Sequence, residues 1–444
     1  MKSFKTFLVN ENVTGQADTH IKPHLSHLED LAIEHGKQGF QMFLQHIDGL
    51  NNKVQGFETN QEINAKIDGS PMILFGLDPR PQFKKQFFIA LKSGLSKTAP
   101  KIMHTKDEVY EYYGSEPSLR DKLENLLEQL PSAYKALDKI YQGDVLFALP
   151  TDKKQVNIGG ENYVTFKPNV IVYAVPIDEK SPISKRIIAA SVGIIVHESF
   201  KGTPINEGQA IELTSAGRNV QDLVRNSAGT NVFLESSNYG ELSVNIPDAE
   251  FRKIRSDVAK ASLEIDQIDT SFDQSYLNSP ILSLLKIFLN KQVDLGNQGI
   301  FGAAFKQQEF LVKSFISGFR EFIIQRYEKE KETKKTSQGQ KKVEERLREV
   351  LNYIETNHDN LQHLIIATYY MISAKYGLLK ILSNFQSKVG KTFIQQPDGS
   401  FTKTKDEGYV LFVGTNHVKI VDRLEFTKIN RASGGKRRAP LVTA

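Results

Sequence analysis

An α+β fold is predicted by three features of this 444-residue chain. Short β-type apolar runs, separated by turn residues, occupy about residues 62–198. Apolar residues recur at helical spacing over about 248–387. Strand-like sequence with two hairpin turns then returns over about 392–421. Runs of strands interrupted by one run of helices indicate a largely antiparallel sheet that carries a large helical insertion.

These features divide the chain into five segments. They are an N-terminal helical segment (1–55), the first part of an α+β core (56–200), a mostly helical insertion (201–395), the closing strands of the core (396–430) and a basic mobile tail (431–444). In the first segment, apolar residues recur at near-helical spacing, and Gly36 interrupts them. The polar, charged stretch Glu328–Gln340 inside the insertion is typical of an exposed linker.

The elements of the core follow from local patterns. A stripe of leucines predicts one helix, Leu119–Leu130. The turn Gln396–Gly399 predicts a hairpin near the end of the chain. Strands are predicted at Pro71–Phe75, Gln86–Leu91, Asp144–Leu149, Val164–Phe166, Asn169–Val175, Tyr409–Val413 and Val418–Val421.

Composition excludes several classes of protein. The chain has no cysteine, so disulfides, thiolate metal sites and cysteine nucleophiles are absent. No apolar run approaches the roughly 18 residues that a membrane helix needs, and the charged start Met1–Leu8 does not match a secretory signal. The net charge of +5 permits a polyanionic partner without requiring one. We therefore expect a cytoplasmic location and no membrane partner.

Lys66 stands in the block Ala65–Pro71, which reads A-K-I-D-G-S-P and leads directly into an apolar strand. This K-x-D-G block resembles the nucleophile motif of the covalent nucleotidyltransferases: ATP-dependent DNA ligases, RNA ligases and mRNA capping enzymes. The resemblance makes Lys66 the amine that attacks the α-phosphate of ATP, with Asp68 and Gly69 beside the nucleotide. Such an amine must lose its proton near neutral pH, and Gly69 permits a tight turn.

Three further blocks follow in the order that this superfamily uses. Leu91–Lys97 resembles the block in which a cation, here Lys92, meets the nucleotide phosphates. Tyr141–Phe147 resembles the aromatic-x-Gly-Glu block near the ribose and the metal, with the shorter Asp144 in place of Glu. Phe166–Val175 lies where the family has an aromatic strand that packs on the base, and either Phe166 or Tyr173 fits that role.

The closing blocks resemble those of the T-even phage RNA ligase type. Glu407 in E-G-Y-V-L would hold Mg²⁺ together with Asp144, and Lys419 in V-K-I would bind the α-phosphate. The family pattern has a second lysine where this chain has Val421. Arg423, two residues further on, would share a strand face with that position and is the candidate replacement.

The resemblance implies an ATP- and Mg²⁺-dependent enzyme that forms a lysyl-AMP and modifies or joins nucleic acid, RNA rather than DNA. Three blocks also resemble uncharacterised proteins of large tailed phages, which implies a place in the host cytoplasm or the virion. Two alternatives stay open. The first is a catalytically degenerate nucleotidyltransferase fold that acts as a binding or structural component of a phage particle. The second is an enzyme that nucleotidylates a protein or a small molecule. Taken singly, each block also fits a turn or a solvated strand edge.

Overall fold

The structure is a computed structural model. It describes residues 26–57, 59–95, 100–134, 138–177, 180–237, 248–295, 308–383, 390–396, 398–404, 407–413 and 416–425. The chain divides into two compact units. Unit 1 comprises Met1–His24, Ile63–Gly240 and Phe385–Glu407, and unit 2 comprises Leu25–Glu62, Glu241–Asn384 and Gly408–Ala444. The predicted basic tail, the N-terminal 25 residues and Ser96–Lys97 lie outside the described residues.

Unit 1 contains most of the strands. In chain order they are β3 (Met72–Leu77), β4 (Phe87–Leu91), β5 (Ile140–Phe147), β6 (Lys153–Ile158), β7 (Glu161–Phe166), β8 (Val172–Pro176), β9 (Val192–Ile205), β10 (Ala210–Gly217), β11 (Val232–Ser236), β12 (Lys391–Gln395) and β13 (Phe401–Lys403). Its helices are α2 (Lys106–Tyr113), α3 (Pro117–Gln129), α4 (Pro182–Ala189) and α5 (Gln221–Asn226).

These strands form two mainly antiparallel sheets. The first has the order β10-β9-β5-β3-β4, and β11 adds to β9 in parallel. The second has the order β13-β12-β8-β7-β6. One face of the first sheet packs on α2 and α3 through a buried cluster that includes Ile73, Val145, Leu123 and Leu126. The opposite face of β3 and β5 carries a second buried apolar cluster that includes Leu74 and Ile140, and by strand alternation Asp144 of β5 points to this face as well.

Unit 2 contains the long helices. They are α1 (Leu31–Val54), α6 (Asp248–Asp266), α7 (Thr270–Leu277), α8 (Pro280–Leu295), α9 (Gln308–Thr333), α10 (Ser337–Thr356) and α11 (His358–Leu382). A small sheet is formed by β1 (Ser26–His27), β2 (Gln61–Ala65), β14 (Tyr409–Val413) and β15 (Asn416–Ile420), in the order β1-β15-β14-β2. The chain passes from unit 2 into unit 1 within β2 (Gln61–Ala65). Among the described residues, no helix has the length and apolarity needed to cross a membrane.

Several sequence predictions are confirmed. The fold is mixed α+β with mainly antiparallel sheets. The sheet of unit 1 is interrupted by helices and resumes at β12, where Phe393 lies opposite Val172 of β8. The predicted break at Gly36 is a left-handed residue with φ 58° inside α1, and the next amide, Lys37 N, donates to Asp273 Oδ1 at 2.9 Å. Only glycine adopts this conformation there without a clash, because a Cβ would lie 2.0 Å from Asp273 Oδ1.

Three boundaries differ from the sequence prediction. The strands continue to Ser236, whereas the helical insertion was expected from residue 201, because β10 and β11 extend the first sheet. The closing segment 396–430 is divided, since β13 belongs to unit 1 and β14 and β15 to unit 2. The linker predicted at Glu328–Gln340 is wrong, because only Lys334–Thr336 is non-helical there.

Ion pairs explain the helical structure of that polar stretch. Lys334 pairs with Glu330 one turn earlier at 3.5 Å, and Lys331 of α9 pairs with Glu344 of α10 at 2.5 Å. Lysine, glutamate and glutamine also favour helices intrinsically. A segment that is polar all round can therefore form a helix when such pairs support it.

Candidate active site

The K-x-D-G loop is fixed onto strand β5 of unit 1. Ser70 N donates to Val145 O at 2.8 Å, and Val145 N donates to Pro71 O at 3.1 Å. A Cβ on Gly69 would lie 2.5 Å from Val145 O, which is closer than any side chain tolerates. Glycine is therefore needed at position 69 because the loop backbone touches the strand beside Asp144.

Two polar residues, Asp144 and Lys92, lie where the K-x-D-G loop contacts the first sheet of unit 1. Asp144 of β5 lies opposite Met72 of β3, and Lys92 directly follows Leu91, which lies opposite Ile73. Because Val145 packs toward α2 and α3, its neighbour Asp144 points to the other face of the sheet. Lys92 begins a 3₁₀ turn (Lys92–Leu95) directly after β4, and it lies near enough to Asp144 for that carboxylate to act on its pKa. The structure thus brings Lys92 and Asp144 near each other beside the Lys66 loop, whose Gly69 lies against the Asp144 backbone.

Lys66 is held by two carboxylates. Its Nζ contacts Asp68 Oδ2 and lies 3.3 Å from Glu407 Oε2. Asp68 N also donates to Glu407 Oε2, at 3.2 Å, and Tyr173 Oη donates to Glu407 Oε1 at 3.1 Å. The Lys66 side chain is 20% exposed and that of Glu407 only 2%. Lys66, whose side chain is partly exposed, therefore contacts a buried carboxyl group that lies 341 positions away in the chain.

The charges in this cluster are strongly coupled. Burial and the neighbouring Asp68 carboxylate raise the pKa of Glu407 to about 9. Burial acts to raise the pKa of Asp68, but the Lys66 ammonium, the hydrogen bond with Glu407 and the charge of His197 together outweigh it and lower that pKa. Burial alone would lower the Lys66 pKa, yet Asp68 and Glu407 outweigh it and raise that pKa. At neutral pH these shifts favour a protonated Lys66, an ionised Asp68 and a protonated Glu407, because two crowded carboxyl groups do not both ionise readily.

His197 of β9 belongs to the same cluster and was not found from the sequence. Val196 lies opposite Gly143 and Glu198 opposite Gln142, so His197 is the extra residue of a β-bulge. Its Nε2 lies 3.3 Å from Asp144 Oδ2. Burial opposes protonation of the ring, but Asp144 and then Asp68 outweigh it and raise the His197 pKa. No sequence signal marks it, because a bulge depends on strand pairing.

Lys92 is influenced by the same carboxylate. Partial burial lowers the pKa of Lys92, and the negative charge of Asp144 opposes that shift. A lysine with a lowered pKa near a carboxylate and an imidazole is typical of functional sites, although structural ion pairs also produce such shifts.

The two aromatic candidates for contact with a base both lie in the core of unit 1. Phe166 is 1% exposed and Tyr173 is 2% exposed. Their rings stack with centroids 5.6 Å apart, and Phe147 packs 5.2 Å from Phe166. Tyr173 additionally reaches Glu407, so it supports the lysine cluster directly, whereas Phe166 supports it through Tyr173.

Lys419 and Arg423 belong to unit 2. Lys419 lies in β15, opposite Val410 of β14. Strand β15 ends at Ile420, so Arg423 does not share a strand face with Lys419, as the sequence prediction assumed. Its guanidinium donates to both oxygens of Asp30, at 3.0 and 3.1 Å, and to Asn290 Oδ1 at 2.5 Å.

Asp68 and Glu407 are the carboxylates best arranged to hold a cation. Both lie within reach of one Nζ, and their crowding raises the Glu407 pKa. Within the part of the chain that the structure describes, no group of three or more His, Asp or Glu side chains is arranged as a metal site. Two carboxylates are nevertheless a sufficient protein contribution for Mg²⁺, which takes its other ligands from water and phosphates.

The fold and site define an α+β protein with a lysine–carboxylate cluster on a sheet face. Residues 22–433 match a family described as a family of unknown function (DUF6267), and the chain belongs to that family. No curated protein and no solved structure matches it.

Proposed function

We propose that the protein is an ATP-dependent nucleotidyltransferase that forms a lysyl-AMP intermediate at Lys66. The supporting observation is the contact of Lys66 Nζ with Asp68 and with Glu407, 341 positions away in sequence. Both ends of this contact lie in blocks that resemble nucleotidyltransferase motifs. The proximity of Lys92 to Asp144, beside the Lys66 loop, adds two more residues of that motif order.

The proposed step forms one bond and breaks another. Neutral Lys66 Nζ attacks the α-phosphorus of ATP, the bond from that phosphorus to the bridging oxygen breaks, and pyrophosphate leaves. Lys66 must first lose a proton, and the acceptor in the site is the Asp68 carboxylate, which contacts Nζ and is ionised because its pKa is lowered. Glu407 already holds a proton at neutral pH, since its pKa is raised to about 9, and therefore does not take the proton of Lys66.

Mg²⁺ is the cofactor proposed with ATP. Asp68 and Glu407 fit it because they are hard oxygen donors whose mutual repulsion a divalent cation relieves. The resemblance adds Asp144 to this set. When bound, the ion supplies positive charge that stabilises the phosphates and disfavours a proton on Lys66.

The acceptor proposed is nucleic acid, with RNA favoured over DNA on the resemblance of the closing blocks. Phe166, Tyr173, Gly69 and Lys92 are proposed to support or contact the nucleotide. The phosphate roles of Lys419 and Arg423, and a place in a phage-infected cytoplasm or in the virion, rest on the resemblance alone.

A degenerate, non-catalytic nucleotidyltransferase fold is the second candidate. Two observations favour it. Val421 is 6% exposed and uncharged where the family pattern has a lysine, and the Arg423 guanidinium is already engaged by Asp30. In this case the protein would bind a nucleotide or a partner without transferring AMP.

Incubation with α-labelled ATP and Mg²⁺ separates the two candidates. If the protein is the proposed enzyme, the wild-type protein and the Lys391→Ala variant become labelled, whereas the Lys66→Ala and Lys66→Arg variants do not. Lys391 is a suitable control because it is another ion-paired lysine of unit 1, held by Glu161 at 2.8 Å. An unlabelled wild-type protein supports the degenerate candidate, and label that survives Lys66→Ala refutes Lys66 as the nucleophile.

A further inference from the structure

The polar stretch between α9 and α10 forms the end of a helical hairpin in unit 2. The two helices pack against each other and are joined by the short turn Lys334–Thr336. Two ion pairs hold them together beside this turn, Lys331 with Glu344 and Arg346 with Glu330, each at 2.5 Å. A flexible connection needs none of these contacts, so the exposed end of the hairpin is a candidate interaction surface.

The hairpin tip, defined as Lys334–Lys342, concentrates positive charge. It reads K-K-T-S-Q-G-Q-K-K, with four lysines and no acidic, aliphatic or aromatic residue, so its net charge is +4. The net charge of the whole chain is only +5. Short lysine-rich segments of this kind are typical of surfaces that bind polyanions.

The protein leaves most of this charge without a counter-charge. Three of the four lysines are exposed and form no ion pair with a described residue: Lys335, Lys341 and Lys342. Lys334 lies 3.5 Å from Glu330. Lys341 adds a smaller electrostatic attraction to Glu344, whose main partner is Lys331. Like charges that crowd together repel one another, and an anionic partner relieves that repulsion.

Side chains of the hairpin tip fix its backbone. Thr336 caps α10 by accepting a hydrogen bond from Gly339 N at 3.1 Å. Gln340 Nε2 donates to Lys334 O at 3.2 Å, which ties the first turn of α10 to the end of the connection. A surface that is already ordered loses less conformational entropy when it binds a partner.

The residue types of the hairpin tip favour the phosphate backbone of a nucleic acid. Lysine, serine, threonine and glutamine side chains and helix N-termini make most protein contacts with phosphates and sugars. The first turn of α10, which contains no acidic residue, lies within the tip. A membrane surface fits less well, because helices that bind membranes insert apolar side chains. Without an aromatic ring on which a base could stack, binding should not depend on base sequence.

We propose that the hairpin tip binds the phosphate backbone of a nucleic acid without reading its sequence, with Lys335, Lys341 and Lys342 as the main contacts. This inference goes beyond the proposed function. It assigns a nucleic-acid-binding surface to unit 2, and it requires no AMP transfer at Lys66.

Fluorescence anisotropy with the full-length protein tests the inference, using a labelled mixed-sequence RNA duplex and the DNA duplex of the same sequence. In the variant Lys335→Gln/Lys341→Gln/Lys342→Gln, affinity at about 0.1 M salt should fall by about tenfold or more. The slope of log affinity against log salt concentration should become shallower by about two to three, because each lost phosphate contact removes about one. RNA and DNA duplexes should bind the wild-type protein within a few-fold of each other.

Three further measurements show whether the loss belongs to the tip. The matched control Lys253→Gln/Lys260→Gln/Lys313→Gln removes the same charge from exposed lysines elsewhere on the helices of unit 2, and it should bind like the wild-type protein. Arginine at the three tip positions should keep the affinity, because the charge remains. Glutamine favours helices, so the tip variant should keep the wild-type circular dichroism and unfolding temperature. The double variant Lys335→Gln/Lys342→Gln repeats the test with a smaller change.

The outcomes separate this inference from the proposed function. An unchanged salt slope in the tip variant, equal losses in the control variant, or a wild-type protein that binds neither duplex would overturn the inference. So would binding to phosphatidylserine vesicles that needs the tip lysines while duplex binding does not. If duplex binding needs the tip but wild-type protein never carries AMP at Lys66, the inference stands and the proposed function fails. If Lys66 is labelled and the tip variant binds both duplexes normally, the reverse holds.

Discussion

Each unit of this protein contains a lysine held by an acid, and the two lysines differ in how their charge is balanced. In unit 2, Lys375 Nζ lies 2.7 Å from Glu29 Oε1, and both side chains are 2% exposed. Arg423 supplies a second cation for the adjacent Asp30. In unit 1, Lys66 is 20% exposed and is shared by Asp68 and Glu407.

The pKa shifts of the acids show what this difference means. Burial would raise the pKa of Glu29, but Lys375, His27 and Arg423 together outweigh it and lower that pKa to about 2. In unit 1, burial and Asp68 raise the pKa of Glu407 to about 9. A fully buried ion pair with balanced charges is typical of structural roles. An acid that stays protonated beside a partly exposed lysine is typical of catalytic sites. The comparison predicts opposite responses to mutation.

Removing the lysine should have the largest effect in unit 2. Lys375→Met is expected to lower the free energy of unfolding by about 3–5 kcal/mol, because it leaves Glu29 buried without its cation. Lys66→Met should change it by less than about 1 kcal/mol, since Glu407 already exists as the neutral acid and the ionised Asp68 side chain, 30% exposed, remains in contact with water. Urea denaturation of both variants checks this. The double variant Lys375→Met/Glu29→Gln should recover part of the loss, and equal losses for both single variants would contradict the comparison.

Acid should destabilise unit 2 through a buried histidine. Burial lowers the pKa of His46 in α1 to about 4, whereas the pKa of His197 in unit 1 is raised. Between pH 6.5 and 4 the unfolded chain binds more protons at His46 than the folded chain does, so stability falls as pH falls. The expected loss from pH 7 to pH 5 is about 2 kcal/mol. Hydrogen exchange of α1 amides measures it, and His46→Gln should remove this part of the pH dependence while leaving the part due to His27, whose pKa burial lowers to about 2; an unchanged slope would refute the assignment.

The tyrosines that contact the two charge clusters should give the smallest effect. Tyr173→Phe removes the donor to Glu407, and Tyr376→Phe removes a 3.3 Å hydrogen bond to Asp422 in unit 2. Each should cost about 1 kcal/mol of stability. Only Tyr173→Phe should slow AMP transfer, by several-fold, because loss of the hydrogen bond raises the Glu407 pKa further. Calorimetric unfolding and the initial rate of labelling test this, and equal labelling rates would remove Tyr173 from the site.

Local patterns made much of the fold predictable. Seven strands (β3, β4, β5, β7, β8, β14 and β15), the Gly36 break and the β12–β13 hairpin follow from spacing within a few residues, which fixes backbone conformation directly. Strands β6, β10 and β11 were not predicted. The Lys66 block could be recognised for the same reason. The contact between Lys66 and Glu407 did not follow from any local pattern. It was expected only because both residues lie in blocks that resemble nucleotidyltransferase motifs in the same order.

Features that depend on pairing between distant segments could not be read from the sequence. The bulge at His197 exists because of its register against β5. The helical structure of residues 328–333 depends partly on an ion pair between α9 and α10. Arg423 was placed by strand periodicity, but the strand ends before it, and its partner Asp30 lies 393 positions away.

The most direct test of the central claim is a mass measurement that compares the two lysines. Wild-type protein is incubated with ATP and Mg²⁺, its intact mass is determined, and the adduct is located by peptide mapping. The account predicts one AMP per chain, on the peptide that contains Lys66, and none on the peptide that contains Lys375. A protein without AMP, or with AMP on any residue other than Lys66, would contradict it.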